Sequence, residues 1–215
     1  MHRVLLRQLY FSGVQSIGVS SLAGAAIGAI VISLVQGNFG QSGAMAMNIL
    51  TISCIQEVGP IMVALIFTAR SASALATELA TMKVTGELRT LERLGIPAAH
   101  YLIRPRIIAA ALSCMMLYCY FSAAALLTGA LFTPQSEVII EVSGSLSQMH
   151  LSAIMGGLIK SGALGIITAA SACYIGLGAR SATTEIPRLA SRAVLISIIA
   201  ILAFDAIVVL LSALT

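Results

Sequence analysis

Three charged side chains stand inside long apolar stretches of the sequence and are the first candidates for chemistry. They are Glu57, Lys160 and Asp205. A charged group within a bilayer is costly unless it is paired or hydrated, so a charge at such a position is a candidate functional residue. Two acids and one base can form an ion pair between helices, line a polar floor in an apolar cavity, or carry protons. The residue types alone leave these uses open.

The composition indicates what kind of element holds these side chains. Of the 215 residues, 59% are hydrophobic and 9% are charged, and the mean hydropathy is +1.01. Soluble domains carry about 25% charged residues, and disordered chains are rich in charge and poor in apolar residues. Both classes are excluded, and the sequence predicts an integral membrane protein.

The apolar stretches predict an all-α chain with five membrane-spanning helices in a single domain, 1–215. Turn formers divide the uncharged N-terminal run at 36–43. Residues 1–12, in which Arg3 and Arg7 share a helix face, predict an interfacial helix; a basic leader that orients the first span is the alternative. The predicted spans are about 14–35, 44–79, 105–131, 150–178 and 193–214.

The three intramembrane charges lie at similar depths in these spans. Glu57 is roughly 20 Å from the start of its span and Lys160 roughly 15 Å from the start of its own, at about 1.5 Å per residue. Asp205 lies at a comparable position in the last span. All three are near the middle of a hydrocarbon layer about 30 Å thick. We therefore expect Lys160 to pair with Glu57 or Asp205, either as part of a binding site or as a purely structural ion pair.

Other residues of the second span are also candidates. Gly59 and Pro60 follow Glu57, and the proline predicts a kink because it removes a backbone donor. Arg70 and Glu78 are eight residues apart on about the same helix face, near one end of the span. They can reach water by snorkelling, which favours a structural role over contact with lipid headgroups.

The distribution of Lys and Arg predicts the orientation. Basic residues occur before the first span and in the connections between spans two and three and between spans four and five, whereas 36–43 and 132–149 contain none. The positive-inside rule makes the basic connections cytoplasmic. The N-terminus is then cytoplasmic and the C-terminus lies on the opposite side.

The cytoplasmic segment 85–95 predicts a short helix. Thr85 is its expected N-cap, Gly95 its C-cap, and Pro97 prevents continuation. So short a helix is marginal alone, so it packs on its own chain or docks on a partner. Its apolar side comprises Leu88, Leu91 and Leu94, and its charged residues are Glu87, Arg89, Glu92 and Arg93.

Motifs for hydrolysis are absent from the sequence. There is no G-x-x-x-x-G-K-[ST] phosphate loop, no H-E-x-x-H and no G-x-S-x-G. The four cysteines lie in apolar segments, which indicates neither a disulfide framework nor a metal site. The chain is therefore not expected to be an enzyme, and energy for transport must come from a partner or an ion gradient.

Several segments, in order over about 56–206, resemble the MlaE (YrbE) permease family. They are Gln56-Glu57-Val58-Gly59-Pro60, Thr68-Ala69-Arg70-Ser71-Ala72-Ser73-Ala74, Glu78-Leu79-Ala80-Thr81-Met82-Lys83-Val84-Thr85, Leu91-Glu92-Arg93-Leu94-Gly95-Ile96-Pro97, Tyr101-Leu102-Ile103-Arg104-Pro105-Arg106, Gly157-Leu158-Ile159-Lys160-Ser161, Cys173-Tyr174-x-Gly176-Leu177, Arg192-Ala193-Val194 and Asp205-Ala206.

The resemblance implies the permease subunit of an ABC-type lipid transporter in the bacterial inner membrane. It implies a homodimer bound to cytoplasmic ATPases, a STAS-domain protein and a periplasmic ring of MCE-domain subunits, expected to be a hexamer. It also implies that 85–95 is the coupling helix and that Glu57 and Lys160 belong to the lipid cavity. No cofactor is expected on this chain, and ATP–Mg would bind the partner ATPase. Gln56 departs from the family pattern, in which many members have Arg.

The resulting expectation is a permease that moves phospholipid between the inner membrane and a periplasmic MCE carrier and contributes to outer-membrane lipid asymmetry. The alternative is a self-sufficient, proton-coupled secondary transporter that uses Glu57 and Asp205. A structural membrane anchor for a periplasmic lipid-binding ring is a third possibility. Dependence of transport on an ATPase separates the first two.

Overall fold

The computed structural model describes residues 10, 13–39, 43–93, 95, 102–133, 144, 151–179 and 186–214. All regular elements of these ranges are helical. The helices are α1 (Ile17–Phe39), α2 (Gly43–Ile52), α3 (Gly59–Phe67), α4 (Ser73–Val84), α5 (Glu87–Arg93), α6 (Arg104–Leu131), α7 (Leu151–Leu177) and α8 (Ile186–Leu214), with π-helical turns at Ser53–Val58 and Thr68–Ala72.

Within the described ranges, five helical stretches are long and apolar enough to cross a membrane, which confirms the predicted all-α class and the number of spans. Because the π turns join α2, α3 and α4 without a break, these three helices form one stretch. The last helix begins at Ile186, seven residues before the predicted start. Pro187 fits its first turn, where a missing N–H costs nothing. The five stretches are Val14–Gly37, Met45–Val84, Arg104–Leu131, Ala153–Leu177 and Ile186–Ser212. Most of the predicted interfacial helix 1–12 lies outside the described residues.

The chain forms two compact units. One unit comprises residues 16–63 and 115–161. In this unit α1 packs on α6 at very short range, since a Cβ at Gly24 or Gly28 would lie closer than 3.0 Å to the carbonyl oxygens of Phe121 and Ala125. Glycine is the only residue that allows two helix backbones to approach so closely. The buried core of this unit contains Ile32, Ala46, Met47, Leu50, Cys54, Ala125 and Ala130.

The other unit comprises residues 1–15, 64–114 and 162–215. Here α8 packs against α4 and the second π turn, and Ala64, Leu164 and Ile201 form a buried apolar cluster. Hydrogen bonds between hydroxyl groups also link helices of this unit. The hydroxyl oxygens of Thr68 and Thr168 lie 3.2 Å apart, and those of Ser171 and Ser197 lie 2.7 Å apart. Hydrogen bonds between side chains are a common means of joining helices in membranes.

The start of the short cytoplasmic helix differs from the prediction. Thr85 is not its N-cap but ends α4, and its hydroxyl donates back to the Thr81 carbonyl at 3.0 Å. Gly86, with φ of 81°, makes the turn, and its carbonyl accepts the N–H of Thr90 at 3.1 Å, so Gly86 occupies the N-cap position of α5. Positive φ is a conformation that glycine adopts without strain.

Candidate functional site

The central feature of the 16–63 and 115–161 unit is an ion pair between two helical stretches. The Lys160 Nζ lies 2.5 Å from Glu57 Oε2. The Lys160 side chain is 9% exposed, whereas that of Glu57 is 47% exposed. Of the two acids expected to pair with Lys160, the structure therefore places Glu57 beside it.

A local break in the helix positions Glu57. Pro60 has no N–H with which to bond the Gln56 carbonyl, so the α-helical pattern cannot continue unchanged. The chain responds with the π turn Ser53–Val58, in which the Gly59 N–H bonds to the Cys54 carbonyl, five residues back. Such single turns are frequent at functional sites because they change the direction of the side chains they hold. The disturbance predicted at Pro60 takes this form.

Two residues outside the predicted set of site residues stabilise this turn. The buried Tyr118 hydroxyl on α6 donates to the Ile55 carbonyl at 2.9 Å. Gly157 on α7 leaves room for that contact, since its Cβ would lie closer than 3.0 Å to both the Ile55 carbonyl oxygen and the Tyr118 hydroxyl. The sequence feature that could have pointed to this contact is Tyr118 itself, because a buried tyrosine in an apolar helix needs a hydrogen-bond partner.

Asp205, the third predicted site residue, lies on α8 in the other compact unit, and its side chain is partly buried. Its proposed part in binding or in proton transfer stays a prediction.

Arg70 and Glu78 have separate partners within the other unit. The Arg70 guanidinium donates to Gln15 through Nη1, which lies 2.8 Å from the backbone carbonyl oxygen, and through Nη2 to the side-chain amide oxygen. Glu78 Oε1 accepts from Arg106 Nη2 at 2.9 Å. Since Arg70 lies within the second π turn, the regular eight-residue spacing to Glu78 does not apply. The choice between a structural role and a lipid-headgroup contact stays a prediction for both residues.

Arg106 is 2% exposed, and Glu78 is 57% exposed. The Nε and Nη1 atoms of Arg106 have no hydrogen-bond partner among the described residues. Glu78 is therefore the charge that balances a buried guanidinium. The sequence analysis did not predict this contact.

We expect the Glu78→Gln substitution to lower the stability of the protein by about 1–3 kcal/mol, because a buried guanidinium then lacks its counter-charge. Glu87→Gln is the matched control, since Glu87 is exposed on α5, and we expect it to change stability by less than about 0.5 kcal/mol. Thermal unfolding in detergent, monitored by size-exclusion chromatography, measures the melting temperatures of both variants. Equal melting temperatures for the two variants would contradict the role given to Glu78.

The short helix α5 has one buried apolar side chain and three exposed charged ones among its described side chains. Leu88 is buried and Leu91 is partly buried, whereas Glu87, Arg89 and Arg93 are exposed. Gly95 follows with φ of 75°, a conformation suited to ending a helix. The side chains of Glu92 and Leu94 lie outside the described residues. The helix thus offers a polar, charged face beside an apolar contact with the rest of the chain.

The five apolar helical stretches in the described part of the chain define a multi-pass helical membrane protein. Comparison with protein families identifies the class further: residues 5–211 match the family model described as Permease MlaE. The chain belongs to the MlaE permease family, which places it in the inner membrane.

Individual relatives agree with this assignment. A probable ABC transporter permease protein of Rickettsia typhi is 28% identical over 93% of this chain and 79% of its own length. The chloroplastic protein TRIGALACTOSYLDIACYLGLYCEROL 1 of Arabidopsis thaliana is 28% identical over 94% of this chain and 59% of its own length. The intermembrane phospholipid transport system permease protein MlaE of Haemophilus influenzae is 32% identical over 60% of this chain and 50% of its own length.

Proposed function

We propose that this chain is the membrane subunit of an ABC-type transporter that moves phospholipid between the inner membrane and a periplasmic MCE-domain carrier. Transport of this kind contributes to lipid asymmetry of the outer membrane. The observation that supports the proposal is the match of residues 5–211 to the MlaE permease family, together with a relative named for intermembrane phospholipid transport.

The Glu57–Lys160 pair gives the proposal a binding site. An ammonium group is a suitable partner for a lipid phosphate, and the half-exposed Glu57 carboxylate can accept from headgroup donors. The helices around the pair are apolar and suit acyl chains. In this site Lys160 holds the headgroup phosphate, and Glu57 orients the ammonium group while no lipid is bound.

Energy would enter through α5. In the proposed topology the N-terminus and α5 are cytoplasmic and the C-terminus is periplasmic, as the distribution of basic residues predicts. The exposed Glu87, Arg89 and Arg93 then face a cytoplasmic ATPase, on which ATP–Mg binds. The proposed assembly contains two copies of this chain, the ATPases, a STAS-domain protein and an MCE-domain ring. Family membership favours this reading over the proton-coupled alternative.

The test is affinity purification of the tagged full-length chain from its native membrane in mild detergent, with mass spectrometry of the proteins that co-elute. We expect a stoichiometric ABC ATPase and an MCE-domain protein, and transport of fluorescent phospholipid by the reconstituted complex only with Mg-ATP. Transport by the isolated chain without ATP would contradict the proposal and support the proton-coupled carrier.

A charge reversal on α5 tests the docking surface in the same preparation. We expect Arg93→Glu to weaken ATPase binding about tenfold, or roughly 1.4 kcal/mol, because the reversed charge would face a like charge on the ATPase. Arg188→Glu, at an exposed position at the start of α8, is the control and should retain the ATPase. Equal retention by both variants would exclude α5 as the docking element.

A further inference from the structure

The first π turn leaves one buried carbonyl without its helical donor. In an α-helix the Ile55 carbonyl would accept the N–H of Gly59, but that N–H bonds to the Cys54 carbonyl instead. The next N–H in the π-helical pattern would belong to residue 60, which is proline and has none. Ile55 is buried, so its carbonyl needs a donor from outside the helix.

Tyr118 supplies that donor from α6. Its hydroxyl donates to the Ile55 carbonyl at 2.9 Å, and the tyrosine is itself buried. Two glycines make the space: a Cβ at Gly157 would overlap both atoms of this hydrogen bond, and one at Gly59 would lie 3.1 Å from the Tyr118 ring. The arrangement replaces the backbone donor that Pro60 removes with a side-chain donor.

The same turn and the same part of α7 also carry the ion pair. Glu57 is two residues after Ile55 within the π turn, and Lys160 is three residues after Gly157, which is nearly one helical turn. The Tyr118–Ile55 hydrogen bond and the Glu57–Lys160 ion pair therefore hold the same two segments together. Loss of the first contact frees the turn that aims the Glu57 carboxylate.

We propose that Tyr118 is a positioning residue for Glu57: its hydroxyl holds the Pro60-dependent π turn in the geometry that places the carboxylate on Lys160. The expected effect of Tyr118 on transport rests on the proposed function. The geometric part is tested independently of transport, so that the two can fail separately.

The hydrogen bond can be observed directly by NMR. Ile55-Gln56 is the only Ile-Gln pair in the sequence, so labelling isoleucine with ¹³C at the carbonyl and glutamine with ¹⁵N selects one carbonyl resonance. Only two lysines occur, Lys83 and Lys160, so ¹⁵N at the lysine side chains gives two signals, which a Lys83→Arg variant assigns. We expect Tyr118→Phe to move the Ile55 carbonyl resonance upfield, as loss of a hydrogen bond does, and to shift the Lys160 Nζ signal.

The substitution Pro60→Ala provides a rescue, because it restores a backbone N–H at position 60. We expect the Ile55 carbonyl resonance of Tyr118→Phe/Pro60→Ala to return toward that of the wild type, because a backbone donor is again available to this carbonyl. We expect phospholipid transport to fall roughly tenfold in Tyr118→Phe, in proportion to the cost of a buried unsatisfied carbonyl. A role limited to filling space predicts no such rescue.

Matched controls lie next to the residues tested. Tyr120 is on the same helix and 47% exposed, and Tyr120→Phe should leave both resonances and transport unchanged. Gly157→Ala should reproduce the effects of Tyr118→Phe, whereas Gly156→Ala should not, since no atom lies within 4 Å of a Cβ at Gly156.

Two results would overturn the inference. One is an unchanged Ile55 carbonyl resonance in Tyr118→Phe, which would show that the hydrogen bond is absent. The other is a shifted Ile55 resonance with an unchanged Lys160 signal, which would show that the bond does not position Glu57. If both resonances behave as expected but the wild-type complex does not transport phospholipid, the positioning role stands and the proposed function fails.

Discussion

Phospholipid transport is expected to fall at least about tenfold when Glu57 is replaced by glutamine, and the protein is expected to lose about 1–3 kcal/mol of stability. The loss of stability follows from the 9% exposure of Lys160, because the variant lacks the carboxylate that lies 2.5 Å from its ammonium group. The estimate is at the lower end for a broken ion pair because the Glu57 side chain is 47% exposed. Transport falls because the ammonium is no longer oriented toward the headgroup.

The double variant Glu57→Gln/Lys160→Met separates a functional pair from a structural one. Removing both charges at similar side-chain volume is often neutral or stabilising, so we expect the melting temperature to return to about that of the wild type. Transport should stay low, because the phosphate partner is gone. Recovery of transport together with stability would show that the pair only joins helices.

Reversal of the pair is the complementary measurement. In Glu57→Lys/Lys160→Glu the ion pair can form again, but the ammonium moves to the half-exposed position and the carboxylate to the buried one. We expect stability to recover in part and transport to stay below that of the wild type. Full transport by the reversed pair would contradict a site in which each charge has its own role.

The second large effect is expected at the contact between α1 and α6. A Cβ at Gly28 would lie closer than 3.0 Å to the Ala125 carbonyl oxygen and 3.1 Å from its Cα. These are backbone atoms and cannot rotate away, so the helices must separate. We expect Gly28→Ala to lower stability by about 1–3 kcal/mol, the usual cost of overpacking. Gly24→Ala should act similarly, through the Phe121 backbone.

Gly18 is the matched control for this contact. It lies on α1, and no atom is within 4 Å of a Cβ built there. We expect Gly18→Ala to be neutral or to stabilise the protein by up to about 1 kcal/mol, because alanine is the better helix former. Thermal unfolding in one detergent, at one protein concentration, compares the three variants. A Gly28→Ala protein as stable as Gly18→Ala would show that α1 and α6 do not pack as described.

At the candidate site, the sequence analysis identified the residues that are unusual in an apolar helix. Glu57 and Lys160 stand out because a charge is rare in such surroundings, and Pro60 stands out because it cannot complete a helical hydrogen bond. Tyr118 and Gly157 are ordinary residues of apolar helices. Their importance comes from a contact between segments far apart in the chain, which local patterns do not contain.

Arg70 and Glu78 are a second case in which the local sequence pattern did not predict the contacts. Their spacing of eight residues predicts one face only if the helix between them is regular. The π turn Thr68–Ala72 interrupts that regularity, and each additional residue in a turn rotates the following side chains by about 100° around the axis. As a result Glu78 contacts Arg106 and Arg70 contacts Gln15.

The sequence by itself determined the class of protein, the number of apolar helices and the residues whose charge is costly in a membrane, because hydropathy and charge are properties of each segment alone. Only the tertiary structure decided that Lys160 contacts Glu57, that a tyrosine of α6 replaces the donor lost at Pro60, and that Glu78 balances Arg106. These outcomes depend on how close two helices approach and how each is rotated. Packing at glycines sets how close two helices approach, and π turns set how the side chains that follow are rotated.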